Sequence, residues 1–173
     1  MDSVPWIPDL LQPGDVLLYR PAKLRAGLAS WFFGKVISIK TWTDISHCEC
    51  YIGPGQSLAA RDGVGVNLYP LRTADLGYVL RPKGPLNIER GLAWFYKNAC
   101  GQKYDWLGLM VFAHAVKQGD PNKSFCSEFV ARLFDRGFHY PLFSWMWDSD
   151  RVSPSMLASS VNLELIWNDG GAL

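Results

Sequence analysis

Residues 46–53 read SHCECYIG and alternate in a way that is typical of a β-strand. Successive side chains of a strand point to opposite faces of the sheet. The stretch therefore has a polar face and an apolar face, which hold respectively His47, Glu49, Tyr51 and Cys48, Cys50, Ile52. The Gly-Pro-Gly turn at 53–55 ends the strand. We expect the apolar face to join a core while the other face presents an imidazole and a carboxylate.

The neighbouring segments extend this strand into a sheet. Strands are predicted at 15–20, at 57–71 as a hairpin around Asp62-Gly63, at 77–82 and at 162–167. Helices are predicted at 23–39, 87–100, 104–116, 122–136 and, with Ser153 as cap and Pro154 first, near 153–160. Strands thus mostly precede helices, which predicts an α+β fold: a small antiparallel sheet or half-barrel packed against helices.

Length and composition are those of one globular domain, residues 1–173. Hydrophobic residues make up 49% of the chain and charged residues 19%. A formal net charge of +1 argues against a nucleic-acid partner. The amino terminus lacks a secretory-signal pattern, and the apolar stretch 28–39 is too interrupted for a membrane span. We therefore expect synthesis in the cytoplasm, with delivery by a virion or an export machine if the substrate lies outside.

Four cysteines occur in the chain, and their spacing matches no zinc pattern, so we expect no metal and no cofactor. Cys126 stands in SFCSEFV, residues 124–130, where a helix capped by Asn122 or Ser124 is predicted to begin. The first turn of a helix favours a thiolate, which is the nucleophilic form of cysteine. From these residues alone, a reactive Cys126 and an inert buried one both remain open.

A thiol nucleophile needs a base, and only three histidines are present. His114 lies in an apolar helical stretch typical of a core histidine, and His139 has no clear partner in the sequence. His47 shares a strand face with a carboxylate, which can orient and stabilise an imidazolium. A cysteine–histidine pair oriented by a third polar group is the usual arrangement for thiol catalysis. The hypothesis requires Cys126 and His47 to meet beside an open cleft.

Five motifs in order resemble the permuted papain-like cysteine peptidases and amidases of the NlpC type. They are DVLLYR, SHCECYIG, GQKYDW, SFCSEFV and SPSML, and they span residues 13–157. In that family the histidine strand precedes the cysteine helix. The resemblance implies Cys126 as nucleophile and His47 as general base, and it gives Tyr104 a role in binding the oxyanion or the substrate.

The third catalytic residue departs from the family pattern. Such enzymes usually place it on the strand after the histidine strand, where this chain has Ala59 and Ala60. We expect Glu49, where the family usually has a small residue, to orient the imidazole from the histidine's own strand. Two residues along a strand span about 6.6 Å, so the two side chains must lean together. Asp62 and Asn67 are weaker candidates.

The resemblance implies hydrolysis of amide bonds in short peptides, most often those of bacterial peptidoglycan. A phage tail or lysis protein would explain a small single-domain chain that has neither a secretory signal nor a recognisable wall-binding module. Two alternatives stay open. One is an acyltransferase of the lecithin retinol acyltransferase kind, which would show two histidines on adjacent strands. The other is an inactive scaffold that serves as a structural or binding module, for example in a phage tail.

Overall fold

The computed structural model describes residues 7–21, 44–105, 123–143 and 152–170. Within these ranges the chain forms an antiparallel sheet with helices packed against it, which confirms the predicted α+β class. The helix predicted at 23–39, nearly all of the one predicted at 104–116 with His114, and positions 144–150 of the aromatic segment 137–150 lie outside the described residues.

The strands are β1 Val16–Tyr19, β2 His47–Gly53, β3 Gln56–Arg61, β4 Gly65–Pro70, β5 Leu76–Pro82, β6 Lys103–Tyr104, β7 Lys123–Ser124 and β8 Leu163–Asn168. The helices are α1 Ile7–Leu10, α2 Ile88–Asn98, α3 Cys126–Arg132 and α4 Pro154–Ala158, and a π-helix, Leu133–Phe138, continues α3. Every strand predicted from the sequence is present, and the hairpin turn at Asp62-Gly63 joins β3 to β4.

The main sheet has six strands in the order β4-β3-β2-β1-β5-β8, and all neighbours are antiparallel. β2 lies inside the sheet between β1 and β3, with His47 opposite Tyr19. β6 and β7 form a separate parallel pair that sets Tyr104 beside Ser124. This pair leads directly into α3.

Apolar clusters cover both faces of the sheet. The larger one joins strand residues, including Cys48 and Cys50, to Phe95 of α2 and Phe129 of α3, as expected for the apolar face of β2. The smaller one contains Tyr51, which is only 6% exposed. The second face of β2 is therefore also buried and is not a solvated polar face.

The helix boundaries show two departures from the sequence predictions. α3 begins at Cys126 with Phe125 as its cap residue, and not after Asn122 or Ser124. The Ser124 hydroxyl is unavailable as a cap because it donates to Gln102 Oε1 (3.2 Å) and accepts from Arg132 (3.0 Å). The last six helical residues, Leu133–Phe138, are π-helical instead of α-helical.

The other two helix predictions agree closely with the structure. Asn87 caps α2 by accepting from the Arg90 N–H at 2.9 Å, and Ser153 caps α4 by accepting from Met156 at 3.1 Å. Pro154 is the first residue of α4, as predicted. No helix in the part of the chain that the structure describes combines the length and apolarity of a membrane span.

Candidate active site

Cys126 is the first residue of α3, which packs against β2. Hydrogen bonding with Cys48 lowers the pKa of Cys126, burial raises it, and the charge and hydrogen bonding of His47 lower it further. The net result is a pKa well below the usual range of a cysteine, so the thiolate is the favoured form.

His47 is the first residue of β2 and connects Cys126 to Glu49. Its Nε2 lies 3.1 Å from Glu49 Oε1, and its side chain is 18% exposed. Because His47 Nε2 faces the Glu49 carboxylate, Nδ1 is the ring nitrogen that can serve the Cys126 sulfur. Burial lowers the pKa of His47, but the Cys126 thiolate and Glu49 outweigh it and raise that pKa to about 9. A thiolate–imidazolium pair is therefore favoured near neutral pH.

Glu49 has no exposed surface, and several side chains from the described strands donate hydrogen bonds to it. Ser57 donates to Oε2 at 2.5 Å, Arg61 donates through Nε at 2.9 Å, and the Tyr19 hydroxyl lies 3.5 Å away. Burial raises the pKa of Glu49, but the hydrogen bond and charge of His47, together with Ser57 and Arg61, hold it at about 2. The contact with His47 that the sequence hypothesis required is present.

Arg61 and Ser57 were missed by the sequence analysis, which stopped at the alanines of β3. Ser57, Ala59 and Arg61 share one face of β3, and the Cys50–Leu58 register brings that face beside Glu49. The Arg61 guanidinium also stacks on the Tyr69 ring, 4.2 Å from its centroid. The sequence did contain a signal for them: Ser57 and Arg61 are polar residues that flank Ala59 on the same face of the strand.

The weaker candidates for an orienting residue lie elsewhere. Asn67 is exposed and accepts from the Leu68 N–H at 2.8 Å. Asp62 is in the β3–β4 turn, and neither residue has a described contact with His47. His139, for which the sequence suggested no clear partner, contacts Arg90 on α2 with its ring. That ring belongs to the packing of the π-helix against α2.

Tyr104 lies at the edge of the site. Tyr104 pairs with Ser124, which stands two residues before Cys126 at the start of α3. Tyr104 is therefore within electrostatic reach of Cys126 and Cys48. Burial and the neighbouring Cys126 thiolate raise the pKa of Tyr104 well above its usual value. The phenol therefore stays protonated and can donate a hydrogen bond.

The open cleft expected beside the sulfur is not what the structure shows. Cys126 is 1% exposed, although the adjoining His47 side chain is 18% exposed. A cavity of about 340 Å³ lies beside α3 and is lined by residues such as Trp94, Phe129 and Arg132, but by neither Cys126 nor His47. Any substrate would thus have to approach from the histidine side.

Within residues 7–21, 44–105, 123–143 and 152–170, no three His, Cys, Asp or Glu side chains are grouped so that they could hold a metal ion.

Comparison with known proteins gives the fold but no family. No known protein-family model matches the chain, and neither does any curated protein. Among solved structures, the fold is similar to that of the metalloprotein yiiX from Escherichia coli O157:H7, a DUF1105 protein, with a TM-score of 0.63. The identity is 18%, over 95% of this chain and 99% of that one. At this identity the likeness establishes a shared fold alone.

Proposed function

We propose that this protein is a cysteine hydrolase with a permuted papain-like arrangement that cleaves amide bonds. The observation that carries the proposal is the group formed by Cys126, His47 and Glu49: His47 Nε2 lies 3.1 Å from the buried Glu49 carboxylate, and Cys126 and His47 shift each other's pKa towards the charged forms. It has the order of nucleophile, base and orienting group that thiol catalysis requires. His47 precedes Cys126 in the chain, which is the permuted order.

The first half of the reaction forms an acyl-enzyme. The Cys126 thiolate attacks the amide carbonyl carbon, and the carbonyl oxygen becomes an oxyanion. The Tyr104 hydroxyl and the Cys126 backbone N–H are the proposed donors to it. The C–N bond then breaks as the His47 imidazolium gives its proton to the departing amine, leaving a thioester on Cys126 and a neutral His47.

The second half restores the enzyme. Neutral His47 takes a proton from water, and the resulting hydroxide attacks the thioester carbon. The C–S bond breaks, the acid product leaves, and the thiolate–imidazolium pair is restored. Glu49 acts through His47 in both halves: it fixes the ring orientation and stabilises its protonated form.

The proposed substrates are short peptides, with the peptides of bacterial peptidoglycan first among them. This choice follows from the resemblance of the five sequence motifs to the NlpC type. The test is incubation of the purified protein with cell-wall sacculi and measurement of newly released amino groups. We expect release by the wild type and none by Cys126→Ser or His47→Ala, and release that persists in Cys126→Ser would refute the mechanism.

One observation favours a second candidate, an inactive scaffold that serves as a binding module: Cys126 is 1% exposed. Alkylation by iodoacetamide at pH 6 separates the two. A catalytic Cys126 reacts at that pH and loses this reactivity in His47→Ala, because the imidazolium no longer stabilises the thiolate. Equal and negligible labelling of both proteins would favour the scaffold.

The acyltransferase alternative has less support. Among the described strands, His47 is the single histidine, whereas that alternative predicts two on adjacent strands. The same thioester could still be passed to an acceptor other than water. Acyl transfer to added amines or alcohols in place of acid release would identify it.

A further inference from the structure

The cavity beside α3 lies apart from the proposed active site. It has a volume of about 340 Å³ and is bordered by the C-terminal end of α2, the turn into β6, the strand β7 and the helix that continues from α3 into Leu133–Phe138. Neither Cys126 nor His47 lines it. Binding sites for small molecules have volumes of about 300–1,000 Å³, so this cavity suits a small ligand.

Two helices each present a pair of side chains to this cavity. Trp94 and Asn98 lie four residues apart on α2, and Arg132 and Arg136 lie four apart on the facing helix. Residues at this spacing are neighbours on one helix face. The half-buried Trp94 ring lies directly against the backbone of the π-helix, because a Cβ atom at Gly137 would be 3.4 Å from Trp94 Cε3. The ring is therefore held as a wall of the cavity.

The two arginines of the cavity differ in their partners. Arg132 is 5% exposed and donates to the Glu128 carboxylate at 2.6 Å and to the Ser124 hydroxyl at 3.0 Å, so its charge is compensated. Arg136 is exposed and makes no hydrogen bond or ion pair within the part of the chain that the structure describes. None of the residues that line the cavity is acidic. The cavity therefore carries one uncompensated positive charge, that of Arg136.

The two side-chain amides of the cavity also differ. Gln102 uses both ends of its amide: Nε2 donates to the Asn98 carbonyl at 2.9 Å, and Oε1 accepts from the Ser124 hydroxyl at 3.2 Å. Asn98 uses its nitrogen, which donates to the Trp94 carbonyl at 2.9 Å. Among the described residues, none donates to Asn98 Oδ1. The cavity thus offers a ligand one hydrogen-bond acceptor, Asn98 Oδ1, beside the guanidinium of Arg136.

We propose that this cavity binds the carboxyl-terminal residue of a short peptide. The peptide carboxylate pairs with Arg136, its amide N–H donates to Asn98 Oδ1, and an aromatic side chain packs on the Trp94 ring. A single uncompensated cation matches a singly charged carboxylate better than a doubly charged phosphate. The inference does not rest on the proposed hydrolase function, because the cavity is lined by neither Cys126 nor His47.

The test titrates the full, ¹⁵N-labelled chain with N-acetyl-phenylalanine and with N-acetyl-alanyl-phenylalanine. Calorimetry gives the Kd, and NMR follows the Trp94 indole N–H, which is assigned from its absence in Trp94→Phe. We expect saturable binding of both compounds and a shift of that resonance. N-acetyl-phenylalaninamide, which lacks the charge, should bind about tenfold more weakly. Binding of the single residue without the dipeptide, or equal affinity for the uncharged amide, would overturn the inference.

The matched variants are Arg136→Gln and Lys97→Gln. Lys97 is an exposed cation on α2 that does not line the cavity, so both variants lose the same charge from the same region. We expect Arg136→Gln to weaken binding of N-acetyl-phenylalanine about tenfold, because a charge-assisted hydrogen bond is lost. Lys97→Gln should keep the wild-type Kd. An unchanged Kd in Arg136→Gln, or the same weakening in both variants, would contradict the proposal.

Cys126→Ser separates this cavity from the proposed active site. We expect the variant to bind N-acetyl-phenylalanine with the wild-type Kd and to show the same shift of the Trp94 indole resonance. Loss of binding in Cys126→Ser, or no saturable binding to the wild type, would refute a peptide site in the cavity. Absence of amide hydrolysis on every substrate would remove the hydrolase and leave the binding result unaffected, so the two proposals fail separately.

Discussion

Two buried carboxylates on the same sheet make an instructive pair. Glu49 on β2 and Asp15 just before β1 both have no exposed surface, and each is bound by an arginine from another strand. Arg81 donates to Asp15 through two nitrogens at 2.8 Å each, and Arg61 donates to Glu49 at 2.9 and 3.1 Å. In both places a guanidinium compensates the buried charge.

The remaining partners differ. Asp15 accepts from the backbone N–H of Gln12 at 2.8 Å, and Arg81 also donates to the Leu10 carbonyl, so this pair fixes the segment before β1 to β5. Glu49 instead directs one oxygen at His47, whose pKa is also raised by the Cys126 thiolate. An arginine–carboxylate pair therefore holds a chain segment in place at Asp15, and the corresponding pair at Glu49 orients a titratable ring. A partner that changes its protonation state is what marks a site for chemistry.

Removing each carboxylate is the strongest test of this contrast. We expect Glu49→Gln to lower kcat by about 10⁴, since loss of an orienting carboxylate leaves the imidazole poorly held. Asp15→Asn should leave kcat unchanged and lower the free energy of unfolding by about 3 kcal/mol, because Arg81 loses its partner. Amide hydrolysis and denaturant unfolding of both variants measure the two effects. Equal kcat in wild type and Glu49→Gln would remove Glu49 from the mechanism.

The pH dependence of the hydrolysis rate distinguishes Glu49 from Asp15 further. His47 has a pKa of about 9, so the rate should fall about tenfold for each pH unit above that value as the imidazolium is lost. The rate should also fall in acid, where the Cys126 thiolate is protonated. We expect Glu49→Gln to move the alkaline limb to lower pH, and Asp15→Asn to leave it in place. An alkaline limb unaffected by Glu49→Gln would show that Glu49 does not stabilise the charged ring.

The same shift carries a stability effect of definite sign. The folded-state pKa of His47 lies above its ordinary value of 6.5, so protonated His47 stabilises the fold fully below pH 6.5. That contribution is lost as the pH rises through about 9. The free energies of unfolding of the wild type and of His47→Ala, measured by denaturant titration across this pH range, should therefore converge at high pH.

The smallest expected effect concerns Ser57, which donates to Glu49 at 2.5 Å. A hydrogen bond to a charged group contributes about 1.5 kcal/mol, so Ser57→Ala should lower kcat roughly tenfold while Arg61 still holds the carboxylate. Ser160→Ala is the matched control, because that buried hydroxyl donates to the Leu142 carbonyl and is not in contact with the site. A similar loss of activity in both variants would point to general destabilisation.

Much of the sheet follows from local patterns. Alternation in SHCECYIG predicts the strand and the shared face of His47 and Glu49, because side-chain direction in a strand depends only on position. The turn at Asp62-Gly63 and the Ser153-Pro154 helix start are predicted for similarly local reasons. The prediction of a cap at Ser124 was wrong because its hydroxyl is used by Gln102, 22 residues earlier in the chain, and by Arg132, 8 residues later.

The site was predictable only in part. Cys126, His47 and Glu49 were named from their chemistry, and the structure brings the three together. Arg61 and Ser57 were not found, because the register between β2 and β3 decides which β3 residues face Glu49.

From the sequence alone we predicted the six strands of the main sheet, the helices α2, α3 and α4 and the chemical identity of the reactive groups, but not β6 and β7. The correct predictions depend on side-chain type and on periodicity over a few residues. Only the tertiary structure decided which groups meet, how deeply Cys126 is buried and which partners shift its pKa. The physical reason is that hydrogen bonds and charge interactions act over a few ångströms, whereas the residues concerned are separated by up to 79 positions between His47 and Cys126.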